Sequence, residues 1–121
     1  MSKNILIAED ERPMAKALEL KLTKEGFAVT VAYDGQEALD KLSVGSFDLM
    51  LLDIMMPQVD GFAVLAKMKE QKIKTPVIVS SNLSQVEDIE RAKSLGAVDF
   101  IVKSNVTLAE IIQKIKALLK I

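Results

Sequence analysis

The sequence has 121 residues, of which 50% are apolar and 4% aromatic, and its 16 basic and 17 acidic residues leave a formal net charge of -1. This length fits one domain covering residues 1–121 around an aliphatic core, and the near-neutral charge gives no electrostatic basis for direct nucleic-acid binding. Because cysteine and histidine are both absent from the sequence, thiol or imidazole catalysis and Cys/His zinc sites are excluded, and any bound metal is expected to be a hard cation with oxygen ligands.

The first predicted unit is a strand followed by a helix. Residues 4–8 form a predicted strand that is continuously apolar from Ile5 onward and gives way to the acidic tripeptide 9–11. A helical pattern then occupies residues 14–25 and stops at Gly26. The opening run is too short for the apolar core of a signal peptide, and no stretch approaches the ~18 to 20 apolar residues that span a bilayer. We therefore expect a cytoplasmic protein with no membrane partner.

The strands of the second and third units differ in pattern. Residues 27–32 alternate in the way that is typical of a strand at or near a sheet edge, and a turn at Asp34-Gly35 then opens a helix in which Asp34 and Glu37 have capping-box-like spacing. Residues 47–52 form a nearly continuous apolar run, which is typical of a strand buried on both faces. A loop and a helix follow this run. The expected buried side of that helix consists of Phe62, Leu65 and Met68.

The fourth unit is a predicted strand over residues 77–80 followed by a helix over residues 84–94. Ser84 and Glu87 have the spacing of a capping box, in which each side chain accepts the backbone N–H of the other residue. The helix is therefore expected to begin directly after Ser84. Its predicted buried stripe consists of Val86, Ile89 and Ala92.

The fifth unit is a predicted strand over residues 98–102 followed by a helix over residues 107–120. Thr107 and Glu110 have the spacing of a second capping box at the start of this helix. Apolar residues then recur with helical period along its whole length. They are Leu108, Ile111, Ile112, Ile115 and Leu119.

Five strand–helix repeats without a linker predict a single α/β domain of the (βα)5 type. This is a doubly wound, five-stranded parallel sheet with helices on both faces, because right-handed crossovers carry the chain back over the sheet. Ligands of such sheets bind beyond the carboxyl ends of the strands. Polar residues follow four of the predicted strands at this end. They are Glu9 and Asp10, then Asp53, Ser81 and Lys103.

Asp53 is the most informative of these residues, because a charge directly after the apolar run 49–52 is costly unless it meets water, a metal or an opposite charge. Carboxylates that crowd one end of a sheet repel each other, and a Mg2+ ion with oxygen ligands relieves that repulsion. A carboxylate can also attack phosphorus when cations neutralise the phosphoryl oxygens. Lys103 and the metal would supply that neutralisation, and the Ser81 hydroxyl would donate a hydrogen bond to a phosphoryl oxygen.

The order and spacing of these residues resemble the receiver domains of two-component response regulators over nearly the whole chain. The resemblance rests on an acidic pair, an aspartate with Met-Pro and Asp-Gly downstream, a hydroxyl residue, an aromatic residue and a lysine. In this sequence they are Glu9 and Asp10, Asp53, Met56 and Pro57, Asp60 and Gly61, Ser81, Phe100 and Lys103. The resemblance implies a flavodoxin-like topology with strand order 2-1-3-4-5.

The resemblance also implies a function for the chain as a phosphoacceptor rather than an enzyme. Asp53 would accept a phosphoryl group from a sensor histidine kinase or phosphotransfer protein, and the signal would pass to a downstream output domain or target protein. Ser81 would move toward the phosphate and Phe100 would rotate inward, altering the face formed by helix 4, strand 5 and helix 5. The residues implied to hold Mg2+ are Glu9, directly or through a water molecule, Asp10, Asp53 and the Met55 carbonyl.

Two residues depart from the pattern of this family. Asn82 stands where a small residue is usual, so its side chain is expected to influence access to the phosphate and the lifetime of the phosphorylated state. Ser104 stands where a proline with a cis bond is usual, and a cis bond before serine costs ~3 kcal/mol more than a trans bond. Either the protein spends this energy or the Lys103 loop follows another course. The alternative function is an interaction module of the same fold that works without phosphorylation.

Overall fold

The computed structural model describes residues 2–121, in which five strands and five α-helices alternate along the chain. A 3-10 turn, Lys103–Asn105, lies between the last strand and the last helix. No helix within residues 2–121 has the length and apolar composition required for a membrane span. The elements are β1 (Asn4–Ala8), α1 (Arg12–Lys24), β2 (Ala28–Ala32), α2 (Gly35–Val44), β3 (Leu49–Leu52), α3 (Gly61–Glu70), β4 (Val77–Ser81), α4 (Val86–Ser94), β5 (Asp99–Val102) and α5 (Leu108–Leu119).

The strands form one parallel sheet with the order β2-β1-β3-β4-β5. This arrangement confirms the expected α/β fold, the strand order and the edge position of β2. In the register of the sheet, Ala8 lies beside both Ala32 and Leu52, so β1, β2 and β3 end at the same level. The residues that directly follow β1 and β3 therefore emerge side by side at the carboxyl edge of the sheet.

Two apolar layers cover the sheet, one on each face. The layer on one face includes Leu6, Met50 and Leu52 and packs under α2, α3 and α4, whereas Ile7 and Leu51 point into the layer under α1 and α5. Alternate residues of the central strands thus pack into opposite layers, because successive side chains of a strand point to opposite faces of the sheet. All four residues of β3 are at most 2% exposed, and this double burial explains the continuous apolar run that precedes Asp53.

Two of the three predicted helix starts are confirmed, and the third is wrong. The Asp34 side chain accepts the Glu37 N–H at 2.7 Å, and Thr107 forms the expected capping box with the third helical residue of α5. Helix α4 instead begins at Val86, with Gln85 as an N-cap whose side chain makes no capping hydrogen bond. The connection after β4 is longer than the spacing indicated, so Ser84 lies ahead of the cap.

The predicted buried stripe of α4 is also only partly correct. Ala92 is fully buried, but Val86, the first residue of the helix, is 63% exposed. Helix α1 begins earlier than the pattern indicated, at Arg12, with a proline in its first turn. Proline fits there because the backbone N–H groups of the first turn have no intrahelical acceptor.

The loop that begins at Lys103 contains no cis peptide bond and follows another course. Every peptide bond within residues 2–121 is trans, including the bond between Lys103 and Ser104. Residues Lys103–Asn105 form a 3-10 turn, in which the Val106 N–H donates to the Lys103 carbonyl at 3.5 Å. The turn therefore carries the chain from β5 toward α5 directly after the lysine.

We expect Gly61→Ala to destabilise the fold beneath the carboxyl end of β3. A Cβ atom at this position would lie 2.6 Å from the Asp53 carbonyl oxygen and 2.6 Å from the Ile54 Cα, so the backbone on one side must shift. Urea unfolding should show a loss of about 1–3 kcal/mol. Gly45→Ala is the matched control, because its Cβ would meet its nearest neighbour at 3.5 Å. Equal stabilities of the two variants would contradict the close packing inferred here.

Candidate functional site at the carboxyl ends of the strands

The ends of β1 and β3 bring Glu9 and Asp53 together. The Glu9 N–H donates to the Ala32 carbonyl at 3.0 Å, and the Asp53 N–H donates to the Ala8 carbonyl at 3.0 Å, so the sheet's hydrogen bonding extends one residue past both strands. Although both side chains end in ionisable carboxyl groups, Glu9 is 2% exposed and Asp53 is 5% exposed. Their backbone positions are thus held by the sheet itself, which gives the site a rigid base.

Three carboxylates meet at this edge of the sheet. One oxygen from each of Glu9, Asp10 and Asp53 lies within 4.8 Å of the other two. Asp10 is partly exposed, so the cluster has one side open to solvent. Hard oxygen donors at this spacing are the ligand type that Mg2+ and Ca2+ prefer. The arrangement could therefore hold a divalent cation.

Lys103 reaches into the carboxylate cluster from the end of β5. Its ammonium group donates to Glu9 Oε1 and, at 3.1 Å, to Asp53 Oδ2, while the more exposed Glu11 lies 3.8 Å away. The lysine side chain is only 8% exposed. When all groups are ionised, one lysine balances one of the three carboxylates, so two negative charges stay uncompensated. This excess of negative charge also suits a divalent cation.

Burial and neighbouring charges change the acidity of two groups in the site. Burial, with a further contribution from the Asp53 charge, raises the pKa of Glu9 from 4.5 to about 7, although Lys103 acts in the opposite direction. Burial alone would lower the pKa of Lys103, but the hydrogen bond to Glu9 and the charge of Asp53 raise it above its usual value. Without a metal, the stability that a protonated Glu9 contributes is complete below pH 4.5 and is lost as the pH rises through about 7.

Asp53 is anchored through both of its carboxylate oxygens. Oδ2 accepts from Lys103, and Oδ1 accepts the Met55 backbone N–H at 3.1 Å. A cavity of about 290 Å3 opens above the carboxylate, and its walls include Asp10, Met55, Asn82 and Lys103. The side chain of Met55 is 56% exposed. Asp53 is thus oriented by fixed donors and still has access to a ligand of modest size.

Ser81 and Phe100 lie close in the sheet but do not contact Asp53 through any hydrogen bond found within residues 2–121. Ser81 is completely buried, and its hydroxyl accepts the Leu83 N–H at 3.4 Å. Phe100 is half-buried and packs against the apolar layer under α2, α3 and α4. The structure therefore brings Glu9, Asp10, Asp53 and Lys103 into one cluster and leaves these two residues beside it. Met55, the remaining predicted site residue, lies at the rim of the cavity.

Sequence reasoning did not identify the ion pair between Lys103 and Glu9. The signal that could have found it is the alternation of side chains along the strands. Glu9 continues the face of Ile7, and Lys103 continues the face of Ile101, and both of these isoleucines belong to the layer under α1 and α5. The two charged side chains thus leave the same face of the sheet, which makes their contact understandable.

Comparisons with known proteins agree with this geometry. A family model described as the response regulator receiver domain matches residues 5–116. The response regulator ArlR of Staphylococcus aureus is 39% identical over 116 residues, which cover 96% of this chain and 52% of that protein. The chain thus spans about half the length of the curated relatives it matches.

Solved structures show the same fold. The receiver domain of the Francisella response regulator 1452 superimposes with a TM-score of 0.92 and 32% identity, over 98% of each chain. A CheY-like response regulator receiver domain protein from Methanospirillum hungatei has a TM-score of 0.92 and 28% identity, over 99% of this chain and 95% of that chain. The likeness extends over nearly the full length, so it includes every strand end that contributes to the site.

Proposed function

Because this chain belongs to the response regulator receiver domain family, we propose that Asp53 accepts a phosphoryl group from a histidine kinase or phosphotransfer protein and that the change is passed to an output domain or target. The observation that carries the proposal is the position of Asp53 between two fixed donors, the Lys103 ammonium and the Met55 N–H, at the floor of an open cavity. The same proposal treats residues 1–121 as one receiver domain in the cytoplasm.

The proposed reaction is a direct displacement at phosphorus. A carboxylate oxygen of Asp53 attacks the phosphorus atom, a new P–O bond forms, and the P–N bond to the histidine of the donor breaks. Lys103 already donates to Asp53, so its ammonium is placed to neutralise a phosphoryl oxygen without a large movement. Because this lysine is buried, its charge acts with less screening than a surface charge would.

The residues present fit Mg2+ as the cofactor of this reaction. Glu9, Asp10 and Asp53 provide convergent carboxylate oxygens and an excess of negative charge, and the Met55 carbonyl is the fourth proposed ligand. When bound, Mg2+ would neutralise phosphoryl oxygens during transfer. The carboxylates would hold the ion, and Asp53 would also remain the nucleophile.

We expect Asp10→Ala to weaken Mg2+ binding by roughly tenfold or more, because it removes one of three oxygen ligands. Isothermal titration of the unphosphorylated protein with MgCl2 measures this affinity directly. Asp88→Ala is the matched control, since it removes an acidic residue from the first turn of α4 instead. Identical Mg2+ affinities for Asp10→Ala and the unmodified protein would show that Asp10 is a solvated loop residue and not a ligand.

Mg2+ affinity is also expected to fall by roughly tenfold between pH 8 and pH 6. The cause is Glu9, whose pKa of about 7 in the metal-free protein means that protons compete with the cation over this range. Titrations at both pH values test the effect. In Glu9→Gln the position has no proton to lose, so its affinity should be nearly constant over the same range. An equally steep dependence in Glu9→Gln would assign the competing proton to another group.

Ser81 and Phe100 are the proposed switch residues. The Ser81 hydroxyl accepts the Leu83 N–H in the unphosphorylated chain, so turning toward a phosphate would release this contact and reshape the loop before α4. Phe100 is half-buried against the same apolar layer as Leu83 of that loop and would move inward when the loop changes. The altered surface would be the face of α4, β5 and α5. Asn82 lines the cavity mouth, where it would limit the approach of water and so the loss of the phosphate.

The proposed function is tested by exposing the protein to a small acyl phosphate and Mg2+ and measuring its intact mass. The addition of one phosphoryl group is the expected result. A chain that gains no phosphoryl group under these conditions would instead support the alternative, an interaction module that works without phosphorylation. Replacement of the acceptor, in Asp53→Asn, is the decisive control.

A further inference from the structure

A second cavity lies at the opposite end of the sheet from Asp53, between the C-terminal ends of α3 and α4. Its volume is about 340 Å3, which is near the lower end of the range of small-molecule sites. Its floor is apolar and includes the buried side chains of Leu65, Met68 and Val77. The remaining lining residues are Lys69, Lys72, Ile73, Lys74, Thr75, Pro76, Leu95, Gly96 and Val98.

The charges around this basal cavity are all positive. Three lysines and no acidic residue line it, although the chain as a whole has a net charge of -1. Four other surface cavities, by contrast, each include at least one aspartate. An apolar floor with a cationic rim favours a ligand that is apolar in its body and negative at one end.

Two of the three lysines have no other evident role in the fold. Lys69 lies in the last turn of α3, where a positive charge complements the helix dipole, and it donates to the Ser94 carbonyl at 3.4 Å. Lys72 and Lys74 lie beyond the end of the helix. Within residues 2–121, no carboxylate comes within 4.0 Å of either ammonium group.

Lys72 has a left-handed backbone conformation at a position where two other helices of the chain have glycine. Lys72 follows the C-cap of α3 with a φ of 59°, in the left-handed region, and the corresponding positions after α1 and α4 are Gly26 and Gly96. Glycine is favoured there because a Cβ atom is strained at positive φ. A lysine in this position therefore costs stability relative to glycine. Lys120 at the end of α5 also has a positive φ, of 60°, so the conformation singles out Lys72 only together with its place in the lining of the cavity.

We propose that the basal cavity binds a small organic anion, with its apolar body on the floor of Leu65, Met68 and Val77 and its carboxylate or similar charged group between Lys72 and Lys74. The site is independent of the proposed phosphoacceptor, because it lies at the amino ends of the strands. A ligand seated there would contact both α3 and α4 through residues such as Met68 and Leu95.

Titration with decanoate, followed by NMR of the 15N-labelled protein, tests the proposal. Amide resonances of residues 72–77 and 95–98 are expected to shift and saturate. Decanol, which has the apolar body without the charge, and acetate, which has the charge without the body, are each expected to bind roughly tenfold more weakly or worse. Equal binding of decanol, or shifts spread evenly over the protein surface, would overturn the proposal.

Variants separate the binding role of the lysines from general surface charge. Lys72→Gln combined with Lys74→Gln should weaken decanoate binding by roughly tenfold. Lys21→Gln combined with Lys24→Gln removes the same charge from exposed positions of α1 and should leave binding unchanged. Loss of binding in both double variants, or in neither, would contradict the assignment of the charged group to Lys72 and Lys74.

Lys72→Gly provides a test in which stability and binding move in opposite directions. The variant is expected to raise the midpoint of thermal unfolding, because glycine adopts the left-handed conformation without strain. It should also weaken decanoate binding, because it removes one of the two charges. A variant that is more stable and binds decanoate as tightly as the unmodified protein would rule out a ligand contact at Lys72.

Discussion

Asp53→Asn is expected to abolish phosphoryl transfer to this chain. The amide has nearly the same size as the carboxylate, and its oxygen can still accept the Met55 N–H, but it is not a nucleophile toward phosphorus. Intact-mass measurement after treatment with an acyl phosphate and Mg2+ should therefore show one phosphoryl group on the unmodified protein and none on the variant. The expected loss is complete, because Glu9, which also contacts Lys103, does not line the cavity, and Asp10, which does line it, makes no ion pair with Lys103.

The folded state of Asp53→Asn is expected to persist, so a loss of transfer reports chemistry and not unfolding. The Asp53 charge is one cause of the raised pKa of Glu9, and removing it should relieve repulsion within the cluster. Asp40→Asn is the matched control, since Asp40 is an exposed residue of α2. A phosphoryl group found on Asp53→Asn would assign the acceptor to another residue and overturn the central proposal.

Lys103→Met is expected to cause the largest loss of stability among single substitutions in the site. The change keeps most of the aliphatic stem but removes the ammonium that contacts Glu9 and Asp53, so buried carboxylates lose their counter-charge. Breaking such a pair costs about 3–5 kcal/mol, and we expect about 3 kcal/mol because the cluster opens to solvent at Asp10. Urea unfolding in the absence of Mg2+ measures the difference.

The loss in Lys103→Met is expected to depend on pH and on Mg2+. It should be larger at pH 8 than at pH 6, because protonation of Glu9 removes one of the unpaired charges as the pH falls through its raised pKa. Added Mg2+ should restore part of the stability. Lys114→Met is the control, because it removes an exposed ion pair with Asp99. Exposed ion pairs contribute about 0–1 kcal/mol to the free energy of unfolding. Equal losses in the two variants would show that Lys103 carries no special electrostatic role.

Much of the fold could be predicted because its signals are local. The apolar runs before Glu9 and Asp53 indicated strands that are buried on both faces, and Thr107 with Glu110 indicated the start of α5. The error at α4 has a physical reason. A capping-box spacing such as that of Ser84 and Glu87 shows only that a cap is possible, while the path of the chain after β4 decides where the helix begins.

The sequence by itself determined which residues stand at the strand ends, because the hydrophobic pattern sets the strands and the parallel topology directs their carboxyl ends to one edge. Only the tertiary structure decided how those side chains pair. Lys103 and Glu9 are far apart along the chain, and their contact depends on the register and packing of four strands. The trans bond at Ser104 and the cationic rim of the basal cavity were decided in the same way. Periodicity reports what each segment buries, whereas contacts between distant segments exist only once the core has assembled.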